Sequence, residues 1–388
     1  MISLAACGDG APDQGAVVRD SAGIQIVQNH GGTWGEGAGW RLSGEPTLQI
    51  GVAEGDSSYL MDRLRTVLRL SDGRIVAANG GNQQIRWYDA GGRLAASAGH
   101  QGGGPGEFQR LVTLRPWPGD SVLAYDASSF RLSWFDPAGQ FVRSVQLQPL
   151  GQVPPRFVDR FADGSLLLAS SVRTLDSSPA SGTRRDTLLF LRAGPDGVPV
   201  DSLAVTPAGE ASFQFMMEGG QIKGMNVLTL PFMRNVHTAT SGDRYWQGTT
   251  DAYQVVLRRA DGTPERIVRR TMKPVRVRGA YLDSLRRAQV AESGPEAGKA
   301  LDQVQLPEHL PAFERLLVDD GGNLWVQHTA WPGRPPVEWD VFNPEGTMLG
   351  TVRMPAGFRA THVGADFVLG VWTDENGVEY VRMYGLIK

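Results

Sequence analysis

The stretch SDGRIVAANGGNQQIRWYDAGGRLAASAG, residues 71 to 99, decides the fold once it is set beside PGDSVLAYDASSFRLSWFDPAGQFVRSV, residues 118 to 145. Each runs turn, apolar strand, polar turn, aromatic strand, aspartate, glycine turn and a further strand. Weaker copies follow: ADGSLLLASS with DTLLFLRAGPDGVPVDSLAV; SGDRYWQGTT with YQVVLRRADGTPERIV; DGGNLWVQHT with VEWDVFNPEGTMLGTV; and GADFVLGVWTDENGVEYVRMYGLI. Tyr88, Phe135, Leu191, Arg258, Phe342 and Tyr384 mark the equivalent strand in the six copies. A repeat of roughly 40 to 50 residues with about four strands is the signature of propeller blades, because one sheet buries both faces only when neighbours stack on it in a ring.

The expected fold is all-β: a six-bladed β-propeller of four-stranded antiparallel blades. The sixth copy ends one strand short, and the unclaimed WRLSGEPTLQIG, residues 40 to 51, is expected to close it, since an open ring leaves sheet edges unpaired. RGAYLDSLRRAQVAE, residues 278 to 292, places Leu282, Leu285 and Ala288 at helical spacing, so a short helical insertion over 273–312 is expected between blades four and five, lying over one rim. The apolar detour 207–235 contains Phe213, Met216, Met217 and Met225, which read as blade packing more readily than as an adaptable binding surface. In domain terms, 1–20 is a tether and 21–388 the propeller.

The segment GHQGGGPGEF, residues 99 to 108, has the glycine density of a phosphate loop. Such a loop needs a helix immediately after it, whose N-terminus receives the anion. Here QRLVTLRPWPGDSVLAY follows, a strand pattern with prolines. The segment is therefore read as the crossing from one blade's outer strand to the next blade's inner strand, with Phe108 plugging the space between blades.

LAYDASSFRLSWFDPAGQF (Leu123 to Phe141) and this glycine-rich exit resemble the NHL-repeat class of six-bladed propellers, which includes bacterial exported propellers of unassigned function. The resemblance is strong over 60–150, fair over 310–388 and weak over 150–275. It implies a channel lined by the inner strands, with ligands or metals at one mouth.

Charge and composition narrow the function. The net charge is −3 with no basic block, so the electrostatic footprint of a nucleic-acid binder is missing. The single cysteine, Cys7, excludes an intramolecular disulfide and a cysteine metal cluster. Its context, LAAC at residues 4 to 7, resembles a bacterial lipobox followed by the polar tether GDGAPDQGA. Only six residues precede Cys7, fewer than the apolar core of a signal peptide, so this expectation rests on residues 4 to 7. It implies lipidation at Cys7 and a monomer in the cell envelope, at the periplasm or outer surface, touching membrane through that anchor alone.

The residues opening each inner strand carry the candidate site. FQR ending at Arg110, FMR ending at Arg234 and FER ending at Arg315 repeat an aromatic, any residue, then arginine; Arg65, Arg156 and Arg359 sit in related positions. If these six converge they form a positive mouth for a carboxylate or phosphate, which the planar guanidinium fork fits. Against this stands a high background, since all but four of the 38 basic residues are arginine. A one-residue register shift would also turn any of them into a blade seam. The first reading is an extracytoplasmic propeller binding a protein or a small anionic ligand, with no cofactor assigned. The alternative is a metal-dependent hydrolase or lyase like the six-bladed lactonases and peptidyl-hydroxyglycine lyases, using calcium or zinc. For that reading His237 and His362, placed at the openings of inner strands four and six, are weak metal candidates without a third histidine, and Asp126 and Asp159 are lone carboxylates.

Overall fold

In a computed structural model of the protein, the described residues are 15–150, 154–172, 182–219, 221–228, 232–277, 279, 282–284, 286–287, 290, 307–329 and 337–388. They form six sheets. The first strands of the sheets are Leu64–Arg69, Leu111–Trp117, Arg156–Arg160, Val236–Ser241, Arg315–Val318 and Phe358–Val363. These pack against one another around a central axis, and the later strands of each sheet step outward. The chain is a six-bladed β-propeller.

Strand alternation explains why the blades stack. In blade 1, Ile75 and Ala77 point to the seam with blade 6, while their neighbours Val76 and Ala78 point to the seam with blade 2. Each of the six seams holds one apolar cluster among the described residues. Trp87, Trp246, Trp325 and Trp339 are almost wholly buried in them, and burial of a large apolar side chain contributes about 1.5–3 kcal/mol.

The ring closes as the sequence implies. Leu48, Gln49 and Ile50 pair antiparallel with Met383, Arg382 and Val381, and Leu42 pairs with Leu386. Ile50 is 2% exposed and sits in the seam between blades 6 and 1. The first and last portions of the chain thus share one blade.

Two additions were not legible. Ala16–Ser21 and Ile24–Asn29 form a hairpin on the outer edge of blade 4, with Ile24–Asn29 running parallel to Pro264–Arg270. That blade therefore has six strands. Of the segment read as a tether, residues 1–14, with Cys7, lie outside the described residues, and Ala16 to Asp20 belong to this hairpin. Buried Asn29 locks it in place, donating to the carbonyls of Arg269 and Gly346 and accepting from the Met348 amide at 2.8 Å. The chain then crosses blade 5, where Trp34 lies on Gly350. Blade 3 carries the second addition, a fifth strand, because its strands Gly182–Ala193 and Pro199–Glu218 run 12 and 20 residues and are followed by Gln221–Leu228. Met216 and Met217 in this extension are more than half exposed, which corrects their reading as blade packing; the Met225 side chain lies outside the described residues.

In the insertion, Gly279, Leu282 to Ser284, Arg286, Arg287 and Val290 are helical, with Leu282 half-buried and both arginines exposed. Leu285, Ala288 and 291–306 lie outside the described residues. The two legs of the insertion pair through Val277 with Glu308 and Leu310 with Val275.

The glycine-rich segment is a corner. Phe108 is fully buried in the seam between blades 1 and 2, and its amide donates to the His100 carbonyl. The Glu107 carboxylate turns inward to accept from the Gly104 amide at 2.6 Å, so the loop closes on its own acid and offers no cradle for an outside anion. Gly99 has φ +82°, and a Cβ there would stand 2.6 Å from the Phe108 ring. Gly99→Ala is expected to cost about 2–4 kcal/mol through combined left-handed strain and overpacking, whereas Gly103→Ala, which meets only the Gln109 side chain at 3.6 Å, should stay within about 0.5 kcal/mol. Ile50→Ala should lower stability by about 2–4 kcal/mol. Urea denaturation midpoints of the three variants check these values; equal losses for both glycines would contradict the corner geometry.

Candidate functional site

All six arginines singled out above lie within two residues of the start of an inner strand. Because every inner strand runs in the same direction along the axis, they lie at one end of the channel. Their side chains then diverge. Arg110 donates to the Ala127 carbonyl of its own blade. Arg359 reaches across the seam to the carbonyls of Leu64 and Arg65, bracing blade 6 against blade 1, and the Arg65 side chain is exposed. Arg156, Arg234 and Arg315 line one cavity of about 720 Å³ over the seams of blades 3, 4 and 5.

Within that cavity the three have different surroundings. Arg234 is held by acids: its guanidinium bonds Glu210 at 2.5 and 2.6 Å and Asp251 at 3.3 Å, and its amide donates to Glu210. Hydrogen bonding to buried Glu210 keeps the Arg234 pKa above the ordinary range. Arg185 completes the cluster through Asp251 at 2.7 Å. This lattice fixes blade 3's extension to the approach of blade 4.

Arg156 and Arg315 have no such compensation. Arg315 donates to the Ala360 carbonyl at 3.2 Å and lies 5.8 Å from the Trp339 ring. The Arg156 side chain makes no hydrogen bond or ion pair with the described residues, while its backbone belongs to the ladder opposite Ala169. Desolvation at the channel mouth lowers both pKa values although Arg156 keeps solvent access; that of Arg315 falls to about 10, with the Arg359 charge adding to the effect and the Glu314 charge opposing it. Neither guanidinium has the paired counter-charge that Arg234 has.

His237, the second residue of blade 4's inner strand, lines the same cavity. Burial pushes its pKa down to about 4, and the charges of Arg315 and Arg156 push the same way. At neutral pH the ring is therefore neutral and offers one donor and one acceptor to the cavity. The ring packs beside Phe313, 6.0 Å between centroids.

His362 corrects the sequence reading. It is the fifth residue of its strand and lies toward the opposite end of the channel from His237. Its Nδ1 accepts from the Arg69 amide and its Nε2 faces Asp320, both at 3.1 Å. With both nitrogens engaged, it joins blades 5, 6 and 1. The lone carboxylates are similarly occupied. Burial alone would raise the Asp126 pKa, but backbone donors from Gln109, Ser128 and Ser129 outweigh it and hold the group low. Asp159 bonds Arg115 at 2.6 Å across the seam of blades 2 and 3. Among the described residues no group of three or more His, Cys, Asp or Glu side chains is arranged to hold a metal ion, and none of their helices is long and apolar enough to cross a membrane.

One pH effect follows from His237. Its folded pKa is depressed below the unfolded value, so the unfolded chain takes up the proton first as pH falls. The contribution to stability is intact above pH 6.5 and is lost as pH drops toward about 4. His237→Gln should remove a loss of up to about 3 kcal/mol between those limits, read as a smaller difference between urea midpoints at pH 7 and 4.5 than in the parent protein.

No family model and no curated protein matches the chain. Solved structures do. One is a predicted exported protein from Bacteroides fragilis, at 12% identity, TM-score 0.50, covering 94% of this chain and 100% of its own. Another is a member of the DUF4221 family from Bacteroides vulgatus, at 11% identity, TM-score 0.52, covering 90% and 98%. At such identities the likeness establishes the shared propeller fold and nothing finer.

Proposed function

We propose that the protein is an extracytoplasmic binding propeller that captures an anionic ligand, a carboxylate or phosphate, in the cavity over blades 3 to 5. The observation that carries this reading is the pair of guanidiniums, Arg156 and Arg315, that line the cavity beside the neutral His237 ring, are partly desolvated there and, unlike Arg234, show no ion pair with a described residue. Holding uncompensated cations in a partly desolvated site is unfavourable, and an incoming anion relieves that cost while forming charge-assisted hydrogen bonds. Arg234 acts as a positioning residue through Glu210. Arg65, Arg110 and Arg359, braced elsewhere or outside the cavity, are not assigned to ligand. The cell-envelope location rests on the lipobox-like LAAC at residues 4 to 7 and agrees with the export ascribed to the Bacteroides fragilis neighbour.

Isothermal titration with small carboxylates and inorganic phosphate tests the reading. Arg156→Gln and Arg315→Gln should each weaken binding by about 10- to 100-fold, the worth of a hydrogen bond to a charged group, while Arg110→Gln leaves it unchanged. A bound anion raises the His237 pKa, so affinity should increase as pH falls from 7 to 5, and His237→Gln should flatten that profile. Loss of binding in none of the variants, or one stoichiometric calcium or zinc per chain on metal analysis, would favour the metal-dependent reading instead.

A further inference from the structure

The cavity is far larger than an inorganic anion requires, and one of its sides is built by blade 3's unusual strands. Register shows where that side stands. Arg156 is paired with Ala169, and Ala169 with Phe190, which sets the level of the channel mouth. From Phe190 the strand continues past Thr187, the partner of Val172, up to Gly182, paired there with Phe213. At about 3.3 Å per residue, Leu188, Asp186 and Arg184 climb in alternate positions from about 7 Å to about 20 Å above the arginine floor. On the adjoining strand Gly209, Ala211 and Phe213 climb beside them. All six line the cavity.

The chemistry of this wall changes with height. Leu188, Ala208 and Met233 are apolar and lie low, close to the cationic floor. Higher up, the Arg184 guanidinium lies 4.5 Å from the centroid of the Phe213 ring and 5.5 Å from that of Phe215, and the two rings are stacked at 12°. This makes a flat, amphipathic ledge, with a planar cation resting on aromatic faces. A free carboxylate or phosphate would touch none of it.

Resting on the anion-binding reading above, we infer that the ligand is an amphipathic organic anion, whose charged head meets Arg156 and Arg315 while its acyl or aromatic body lies along the raised wall of Leu188, Ala208, Met233 and Phe213. A site of this volume, with apolar and aromatic side chains along the wall beside Asp186 and Arg184 and convergent polar groups at the floor, suits a small organic molecule. The extension of blade 3 is then the specificity element of the protein: the inner strands supply charge, and the added strands supply shape.

The test is a chain-length series measured by isothermal titration on the full chain: acetate, butanoate, hexanoate and octanoate, with inorganic phosphate and n-octyl phosphate to separate the two head groups. Affinity is expected to rise by about threefold to fourfold for each added methylene that is buried. Phe213→Ala should cut octanoate binding by about tenfold and leave acetate unchanged. Anions that bind with no dependence on chain length would overturn the inference and leave anion capture standing; no binding by any member of the series would overturn both. The series in the parent protein decides the question even if Phe213→Ala fails to fold.

Discussion

The pairing of Leu48, Gln49 and Ile50 with Met383, Arg382 and Val381 holds the rest of the structure in place. Each blade is apolar on two faces, and a face is buried only if the ring is complete. Without the N-terminal strand the last blade would present an unpaired edge, and the seam containing Ile50, Val67, Leu369 and Val381 would open to water. A channel mouth that gathers inner-strand residues from different blades exists only because that seam is shut. The lacing of inner strands reinforces it: Arg359 to blade 1, Arg315 to blade 6, Arg115 to Asp159, and Thr361 to the Val67 carbonyl all cross a seam near the axis.

Much of this was legible in the sequence, and the reason is periodicity. The blade pattern repeats, strand alternation assigns two faces, and an incomplete final copy demands a partner. The corner at 99–108 could be recognised because a strand, and no helix, follows the glycines. What escaped was the identity of partners that no repeat encodes. Ala16–Asn29 has the look of a hairpin, but its position against the outer strand of blade 4 depends on a single buried amide, that of Asn29, finding acceptors 240 and 317 residues away in sequence.

The site shows the same division. The Phe-x-Arg pattern picked out Arg110, Arg234 and Arg315, which lie within two residues of the start of three inner strands. It could not say that they would differ in company. Glu210 and Asp251 lie in blade 3's extension and in a turn of blade 4, and of the candidate arginines they pair with Arg234; among the described residues no ion pair meets Arg156 or Arg315. His362 was misplaced along its strand because the register shift between Ala360 and His362 cannot be read from composition. The raised wall was missed for a related reason: a long antiparallel extension of two strands carries no repeat of its own.

The path of residues 16–50 has a consequence for biogenesis. They dock on blade 4, cross blade 5 and finish blade 6, so every surface that receives them is synthesised after them, the last of these near residue 383. For nearly the whole of translation these strands are exposed edges of the kind that mispair. Their native contacts are also among the most distant in the chain, which slows their formation. Maturation therefore ends with a segment made long before its partners, and a nascent chain released early would carry the clasp without the strand it closes on.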